Sequence, residues 1–131
     1  MKVYKFGGAS VKDAKGVRNL REIVALASDD LMVVVSAMGK TTNALERVVA
    51  ALAKGDEQTA ETEWLSVLDQ HVYTMQELGL QPNVDVRLPM MPEYNKDWSY
   101  DQNYDQIVSL GEIMSTQIVA VFLLKNGIPT E

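Results

Sequence analysis

The hydrophobic and polar positions predict a strand, a helix and a second strand at the start of the chain. Residues 2–6 read KVYKF and residues 31–35 read LMVVV, both rich in residue types that favour strands. Between them, four apolar residues recur on one face of a helix: Val17, Leu20, Val24 and Ala27. The second strand is apolar on both faces, which is typical of a buried strand in a parallel sheet. The pattern therefore predicts the α/β fold class, built on a βαβ unit.

The segment that joins the first strand to the first helix is a candidate anion site. We expect the helix to begin at Ser10, with Asp13 in the capping-box position and the pair Gly7 and Gly8 between the strand and the helix. Such a turn leaves backbone N–H groups free and aims them, with the positive end of the helix, at one point. Lys5 adds a mobile full charge nearby. The segment predicts a phosphate site.

The second strand runs into residues 36–43, a loop of small and hydroxylated residues around Gly39. Loops at the carboxyl ends of parallel strands are where open α/β sheets bind ligands. The sequence Gly39, Lys40, Thr41 resembles the end of a P-loop, but that motif needs a glycine where Val34 stands. The P-loop interpretation therefore fails, although a simple connection would not explain three clustered hydroxyl groups.

Three further helices follow by the same periodicity. Their apolar positions are Leu45, Val48, Val49 and Leu52 in the second helix, and Leu65, Leu68, Val72 and Met75 in the third. We expect Trp64 and Met75 in the core and His71 at the surface or its boundary, because one histidine without cysteine makes a poor metal site. Residues 83–103 predict a short edge strand and an irregular, aromatic, acidic passage.

The last predicted helix starts near Tyr104, ends at Asn126, and contains a glycine in an unfavourable interior position, Gly111. Two explanations stand side by side. The helix proper begins at Ser109 with Glu112 completing a capping box, or Gly111 lets a ligand approach while Glu112 receives a cationic group.

Charge and composition narrow the function classes. The 131 residues carry a net charge of −6 and no cysteine, and residues 1–21 hold six basic residues against Asp13 alone. An acidic chain lacks the basic surface that nucleic-acid binding needs, whereas a positive opening suits a small anion. No apolar run approaches the roughly 20 residues that span a bilayer. We expect a cytoplasmic protein without nucleic-acid or membrane partners.

Three segments resemble the aspartokinases of the amino acid kinase family. Residues 5–11, KFGGASV, resemble their opening K-F-G-G-T-S-V, and residues 36–43, SAMGKTTN, are similar to their second glycine loop. Residues 109–115, SLGEIMS, resemble their S-x-G-E-x-x-S. The order and spacing agree over almost the whole chain, although Ala9 stands where the family usually has threonine.

The resemblance implies a three-layer αβα fold with a mostly parallel sheet. It also implies ATP-dependent phosphorylation of the side-chain carboxylate of L-aspartate, with Mg²⁺, as the first step towards lysine, threonine and methionine. By position, it assigns the ATP phosphates to Lys5, Gly7, Gly8, Ser10 and Gly39. Lys5 is the catalytic cation among them. The resemblance assigns the binding of aspartate to Ser36, Thr42 and Glu112, and it assigns no residue to a metal.

The family's later motifs do not occur in these residues. We therefore expect residues 1–131 to be the N-terminal portion of one kinase catalytic domain, incomplete at its C-terminal side and inactive alone. The full-length protein is expected to be a homo-oligomer. Two alternatives stay open: a kinase of glutamate, acetylglutamate or a nucleoside monophosphate, and a non-catalytic binding or assembly module.

Overall fold

The computed structural model describes all 131 residues, which form two strands and four helices. In chain order these are β1 (Lys2–Phe6), α1 (Ala14–Ala25), β2 (Leu31–Val35), α2 (Thr41–Ala53), α3 (Glu57–Glu77) and α4 (Tyr100–Lys125). Strands β1 and β2 pair in parallel, with Lys2 opposite Leu31 and Phe6 opposite Val35. The predicted α/β class with a parallel sheet is confirmed.

The sheet has one covered and one open face. Val35 is buried and Phe6 partly buried in a core cluster that includes residues of α1 and the second half of α4. On the opposite face, Val3, Met32 and Val34 are 53%, 51% and 44% exposed. The expectation that β2 is buried on both faces is therefore wrong, because the helices of this chain pack against only one of them. The chain supplies one helical layer and a two-stranded part of the sheet.

Helix α1 begins later than predicted. Its N-cap is Asp13, whose Oδ1 accepts a hydrogen bond from the N–H of Gly16 at 2.8 Å. Ser10 instead lies in a turn, where its N–H donates to the carbonyl of Gly7 at 3.0 Å. The predicted cap at Ser10 is wrong because the carboxylate of Asp13 satisfies the first helical amides. A loop of residues 7–13 thus separates β1 from α1. Val17, Leu20 and Val24 of the predicted apolar face are buried as expected, whereas Ala27 lies beyond the end of α1 and is only partly buried.

A second core cluster joins α2, α3 and the first half of α4. Its large members are Leu45, Val48, Val49, Trp64, Val67, Ile107 and Met114. Trp64 is 2% exposed and Met75, which belongs to the first cluster, is fully buried. The prediction that both residues lie in the core is confirmed.

Helix α3 buries a different face from the predicted one. Its buried stripe runs through Trp64, Val67, His71 and Met75, whereas Leu65 is 48% exposed. His71 is 1% exposed, so its predicted surface or boundary position is wrong. Trp64 and His71 are seven residues apart and so lie on the same face of α3, which means that burying the large indole also buries the histidine.

Helix α4 starts at Tyr100, ahead of the predicted residue, behind a complete capping box of Ser99 and Gln102. It is long and apolar enough to cross a membrane by length and composition, but part of its surface is packed in both core clusters. Asn103 is 1% exposed and fixes the preceding segment by hydrogen bonds of 2.8 and 2.9 Å with the backbone of Asn95. Residues 89–98 are irregular, as predicted.

The predicted edge strand around Val84 does not form. Val84 is 75% exposed in a turn, and only an isolated bridge joins Pro82 to Val86. Asp85 shapes this turn, since one carboxylate oxygen accepts from Lys125 Nζ at 2.7 Å and the other from the N–H of Gln81 at 2.6 Å. These two bonds, that from Lys125 first, hold the pKa of Asp85 below its usual range. The alternation of apolar residues here reflects a turn with one buried anchor, Val86.

Candidate phosphate and substrate site

Two loops meet at the carboxyl end of the sheet, because β1 and β2 run parallel and in register. The first loop comprises residues 7–13 and the second residues 36–40. The N–H of Ser36 donates to the carbonyl of Phe6 at 2.9 Å, and the N–H of Gly39 donates to the carbonyl of Gly8 at 3.0 Å. These backbone bonds hold the two loops together as one unit.

Gly8 and Gly39 are the points of closest approach between the loops. A Cβ atom on Gly8 would lie 2.8 Å from the carbonyl oxygen of Ala37 and 3.1 Å from that of Gly39. Real Cβ atoms do not come that close to backbone, so only glycine fits without moving a loop. Gly39 also has a φ of +53°, a left-handed conformation that favours glycine.

The first loop offers free donors to an anion. The N–H groups of Gly7, Gly8 and Ala9 donate to no group of the protein. Lys5, on the last part of β1, is exposed and takes part in none of the three ion pairs of the chain. Free backbone amides beside an unpaired cation are an anion-binding arrangement. This is the arrangement that the sequence predicts for Lys5, Gly7 and Gly8.

Gly39 and Ser10, which are also predicted to contact phosphate, do not have the predicted arrangement. The N–H of Gly39 is already bonded to the carbonyl of Gly8, so the expected donation to phosphate is not available in this conformation. Gly39 instead holds the first loop in place. The hydroxyl of Ser10 is exposed and unbonded in the first loop, away from the helix start that the sequence suggested.

Lys12 is a further candidate, which the predicted helix start at Ser10 would place in the first turn of α1. The structure puts it in the first loop instead, with its Cβ 3.5 Å from where a Cβ on Gly39 would stand. The signal for this position is Asp13, because an aspartate cap ends the loop and leaves the preceding lysine outside the helix. Lys12 therefore adds a second unpaired cation to the two-loop unit.

A pocket of about 230 Å³ lies next to the start of α2. Its lining residues are Thr42 of α2 and Tyr104, Asp105, Val108, Ser109 and Glu112 of α4. The structure therefore brings Thr42 and Glu112 together, as the sequence motifs suggested. Neither carboxylate of the pocket is in an ion pair, and no basic side chain lines it. The pocket suits a cationic group such as an ammonium.

Asp105 is a site candidate that sequence reasoning missed. It lies seven residues before Glu112, so both carboxylates come to the same face of α4. The spacing was visible in the sequence, but it gains meaning only because Thr42 lies opposite. Ser36 does not line this pocket; its side chain is exposed and its carbonyl accepts from the hydroxyl of Ser115 at 2.8 Å.

Neither predicted explanation for Gly111, a helix cap at Ser109 or the close approach of a ligand, agrees with the structure. Ser109 lies inside α4 and donates its hydroxyl to the carbonyl of Gln106 at 3.0 Å, so it is not a helix cap. Gly111 is buried against protein and not against an open site. A Cβ there would lie 2.9 Å from Ala37 Cβ and 3.1 Å from Thr41 Cγ2. Glycine is needed because α4 crosses the second loop and the start of α2 at close range.

Comparison with known proteins places this site in a family. The amino acid kinase family matches residues 1–131. The chain is 32% identical to aspartokinase 1, chloroplastic, and 33% identical to aspartokinase 2, chloroplastic, both of Arabidopsis thaliana. It is 28% identical to the bifunctional aspartokinase/homoserine dehydrogenase, chloroplastic, of Daucus carota.

These alignments cover 95–96% of this chain but only 24%, 25% and 15% of the three relatives. The chain thus spans about a quarter of the length of the two Arabidopsis proteins. The family match extends over all three motif segments and the loops that they build. The chain belongs to the amino acid kinase family.

Proposed function

We propose that the protein containing this chain transfers the γ-phosphoryl group of ATP to the side-chain carboxylate of L-aspartate. The observation that carries the proposal is that one loop at the sheet end offers free amides, while the loop bonded to it leads directly into the helix whose Thr42 shares a pocket with Glu112. The names of the relatives, which are aspartokinases, support aspartate as the substrate. The product is 4-phospho-L-aspartate, which begins the route to lysine, threonine and methionine.

The two-loop unit forms the phosphate half of the site. The N–H groups of Gly7, Gly8 and Ala9 bind phosphate oxygens, and Lys5 balances the charge of the transferred group. Lys12 supplements Lys5 from the same loop. These groups are fixed before the substrate arrives, since backbone bonds join the loops, and fixed donors need little reorganisation during the reaction.

The pocket forms the substrate half. Glu112 accepts the ammonium group of aspartate, and the hydroxyl of Thr42 donates to a carboxylate of the same substrate. Asp105 adds a second negative charge, which favours the ammonium and disfavours a carboxylate at that end of the pocket. The side-chain carboxylate of aspartate then points out of the pocket and towards the loops.

The reaction needs positioning more than proton transfer. A carboxyl group with a reference pKa of about 3.9 is already ionised at neutral pH, so no general base is required. One carboxylate oxygen forms a bond to the γ-phosphorus while the bond from that phosphorus to the β,γ-bridging oxygen breaks, and ADP leaves. Bringing two anions together is the main barrier, and cations and amide dipoles lower it.

Mg²⁺ is expected with the nucleotide, and in kinase sites this ion is held by phosphate oxygens, waters and one or two carboxylates. No three side chains of the types His, Asp or Glu come together closely enough to hold a metal ion. Asp105 and Glu112 lie in the pocket without a third ligand. Both carboxylates face a pocket suited to a cationic substrate group, so no residue is assigned to Mg²⁺, which the phosphates of ATP would bring with them.

The activity is proposed for the full-length protein, because the chain spans only a quarter of its Arabidopsis relatives. Residues 1–131 are the N-terminal portion of the catalytic domain in this proposal, and we expect them to be inactive alone. The cytoplasmic location and the homo-oligomer expected from the sequence stay predictions.

Replacing Lys5 in the full-length natural protein tests the proposal. Lys5→Ala is expected to lower kcat for L-aspartate-dependent ADP formation by about 100-fold, the usual cost of losing one charge-stabilising donor. Lys2→Ala is the matched control, since Lys2 is also an exposed lysine of β1 but lies at the other end of the strand. Equal activity in both variants would contradict the assignment of Lys5.

A further inference from the structure

Ser115, the last residue of the SLGEIMS segment, makes a hydrogen bond to a residue that is distant in the chain. It is fully buried on α4, and its Oγ lies 2.8 Å from the carbonyl oxygen of Ser36 and 3.1 Å from that of Glu112. A hydroxyl has one proton to donate, and the nearer acceptor is Ser36. The bond therefore joins α4 to the start of the second loop.

Gly111 contacts the same loop one helical turn earlier. Its missing side chain lets α4 approach Ala37 so closely that a Cβ would stand 2.9 Å from the Cβ of that residue. Four residues of α-helix span about 6 Å, so Gly111 and Ser115 hold α4 against the loop at two separate points. Two points fix both the rotation of α4 and its position along its axis. Glu112 lies between them in the chain, with its side chain in the pocket.

The second loop passes this restraint on to the first. Ser36 donates its N–H to Phe6 at 2.9 Å, and Gly39 donates its N–H to Gly8 at 3.0 Å. Hydrogen bonds thus connect the hydroxyl of Ser115 through residues 36–39 to the loop that carries the free amides. A shift of α4 would separate the pocket from the phosphate loops.

We propose that Ser115 is a positioning residue that sets the distance between the Glu112 carboxylate and the two-loop unit. The role in catalysis rests on the proposed function. Misplacement of a reacting group by about 1 Å can cost 100-fold in rate, so loss of one such bond has a measurable effect. Ser115→Ala is expected to lower kcat/KM for L-aspartate about tenfold and to change KM for ATP less than threefold.

The first experiment measures the restraint without using activity. Hydrogen exchange of the full-length natural protein is followed at the amides of Ser36 and Gly39. Ser115→Ala is expected to speed their exchange at least threefold, and Ser115→Cys, which keeps the buried volume but donates weakly, to speed it in the same direction. Thr116→Ala, an exposed neighbour, is the control and should leave the exchange rates unchanged. Unchanged exchange in both Ser115 variants would overturn the proposal.

The second experiment asks whether Ser115 acts through Glu112. In a double-mutant cycle, Ser115→Ala should lower kcat/KM for L-aspartate about tenfold in the wild type but less than threefold beside Glu112→Gln. A further tenfold loss in the Glu112→Gln background would assign Ser115 an unrelated structural role and overturn the proposal. Absence of aspartate-dependent turnover in the wild type would instead refute the proposed function, while hydrogen exchange would still decide on the restraint.

Discussion

Gly8 and Gly111 contact the same residue from two directions, and that residue is Ala37. A Cβ on Gly8 would lie 2.8 Å from the Ala37 carbonyl oxygen, and a Cβ on Gly111 would lie 2.9 Å from the Ala37 Cβ. The three motif segments of the chain therefore meet at one alanine of the second loop. The first two predictions concern these two contacts.

Gly111→Ala is expected to destabilise the protein. Forcing a methyl group against Ala37 costs about 1–3 kcal/mol, which exceeds the gain of at most about 1 kcal/mol from better helix propensity. Urea denaturation of the variant should show a lower midpoint than that of the wild type. Gly7→Ala is the control for stability, because a Cβ on Gly7 meets no atom within 4 Å. A Gly111→Ala variant as stable as the wild type would contradict the close approach of α4.

Gly8→Ala is expected to weaken nucleotide binding about tenfold or more. The new methyl group would press on the backbone oxygens of Ala37 and Gly39, so the two loops must separate and their amides lose their alignment. Titration calorimetry with ATP on the full-length protein measures the change. Gly7→Ala leaves the contact between the loops intact, because a Cβ on Gly7 meets no protein atom within 4 Å, and should weaken ATP binding less than Gly8→Ala. Similar losses in the two variants would show that spacing between the loops is not the cause.

Lys12→Ala is expected to raise KM for ATP about fivefold, the lower range for a charged hydrogen bond at an exposed position. Lys12 lies in the first loop beside Gly39, whereas Lys15 is an exposed lysine of α1. Lys15→Ala should change KM for ATP less than twofold. The difference in KM for ATP between Lys12→Ala and Lys15→Ala should also become smaller at high salt, since exposed charges are screened. If Lys15→Ala has the larger effect, the position of Lys12 in the site is wrong.

We expect the folded protein to lose stability under mildly acidic conditions because His71 is buried. Its Nδ1 lies 2.7 Å from the carbonyl oxygen of Val67 and therefore carries a proton, while Nε2 is buried without a partner. Burial lowers the pKa of His71 below its ordinary value, so the folded state holds the neutral ring. The unfolded state takes up a proton near pH 6.5, and the stabilising contribution is lost as the pH falls from there through the folded pKa.

Urea midpoints at pH 7.5 and pH 5.5 test this effect. His71 is the one histidine of the chain, and the carboxylates of lowered pKa, Asp56 and Asp85, titrate below this range. The wild type should be less stable at pH 5.5, and His71→Leu should reduce the difference between the two pH values. A wild-type midpoint that does not change with pH would contradict a buried neutral histidine.

The fold class follows from the sequence because local signals and tertiary packing agree for most elements. Residues 31–35 are apolar and end in three β-branched valines, and Val17, Leu20 and Val24 repeat at helical spacing, so β2 and α1 are predictable. The exposure of Met32 and Val34 cannot be predicted in this way, since it depends on what packs against the outer face of the sheet. A pattern of side chains specifies which face is apolar, not whether another element covers it.

The errors in the candidate site have two physical causes. Ser10 and Asp13 are both good helix caps, and the sequence alone does not show that the Asp13 carboxylate is the one that binds the helical amide of Gly16. Gly111 was assigned to a cap or a ligand because its actual neighbour, Ala37, is distant in the chain. Long-range contacts of this kind leave no periodic signal. Thr42 and Glu112 are predictable because they lie in the segments that resemble the family. Lys12 and Asp105 lie outside those segments, so the resemblance gives no signal for them.

In the proposed mechanism, the pocket of Thr42 and Glu112 receives the ammonium end of L-aspartate while the two-loop unit holds the phosphate. The most direct test is the rate of ADP formation by the full-length natural protein with L-aspartate, L-glutamate and N-acetyl-L-aspartate. We expect efficient turnover of L-aspartate alone, because acetylation removes the charge that Glu112 binds and the longer side chain of glutamate misplaces the carboxylate. Equal turnover of N-acetyl-L-aspartate, or none with L-aspartate, would contradict it.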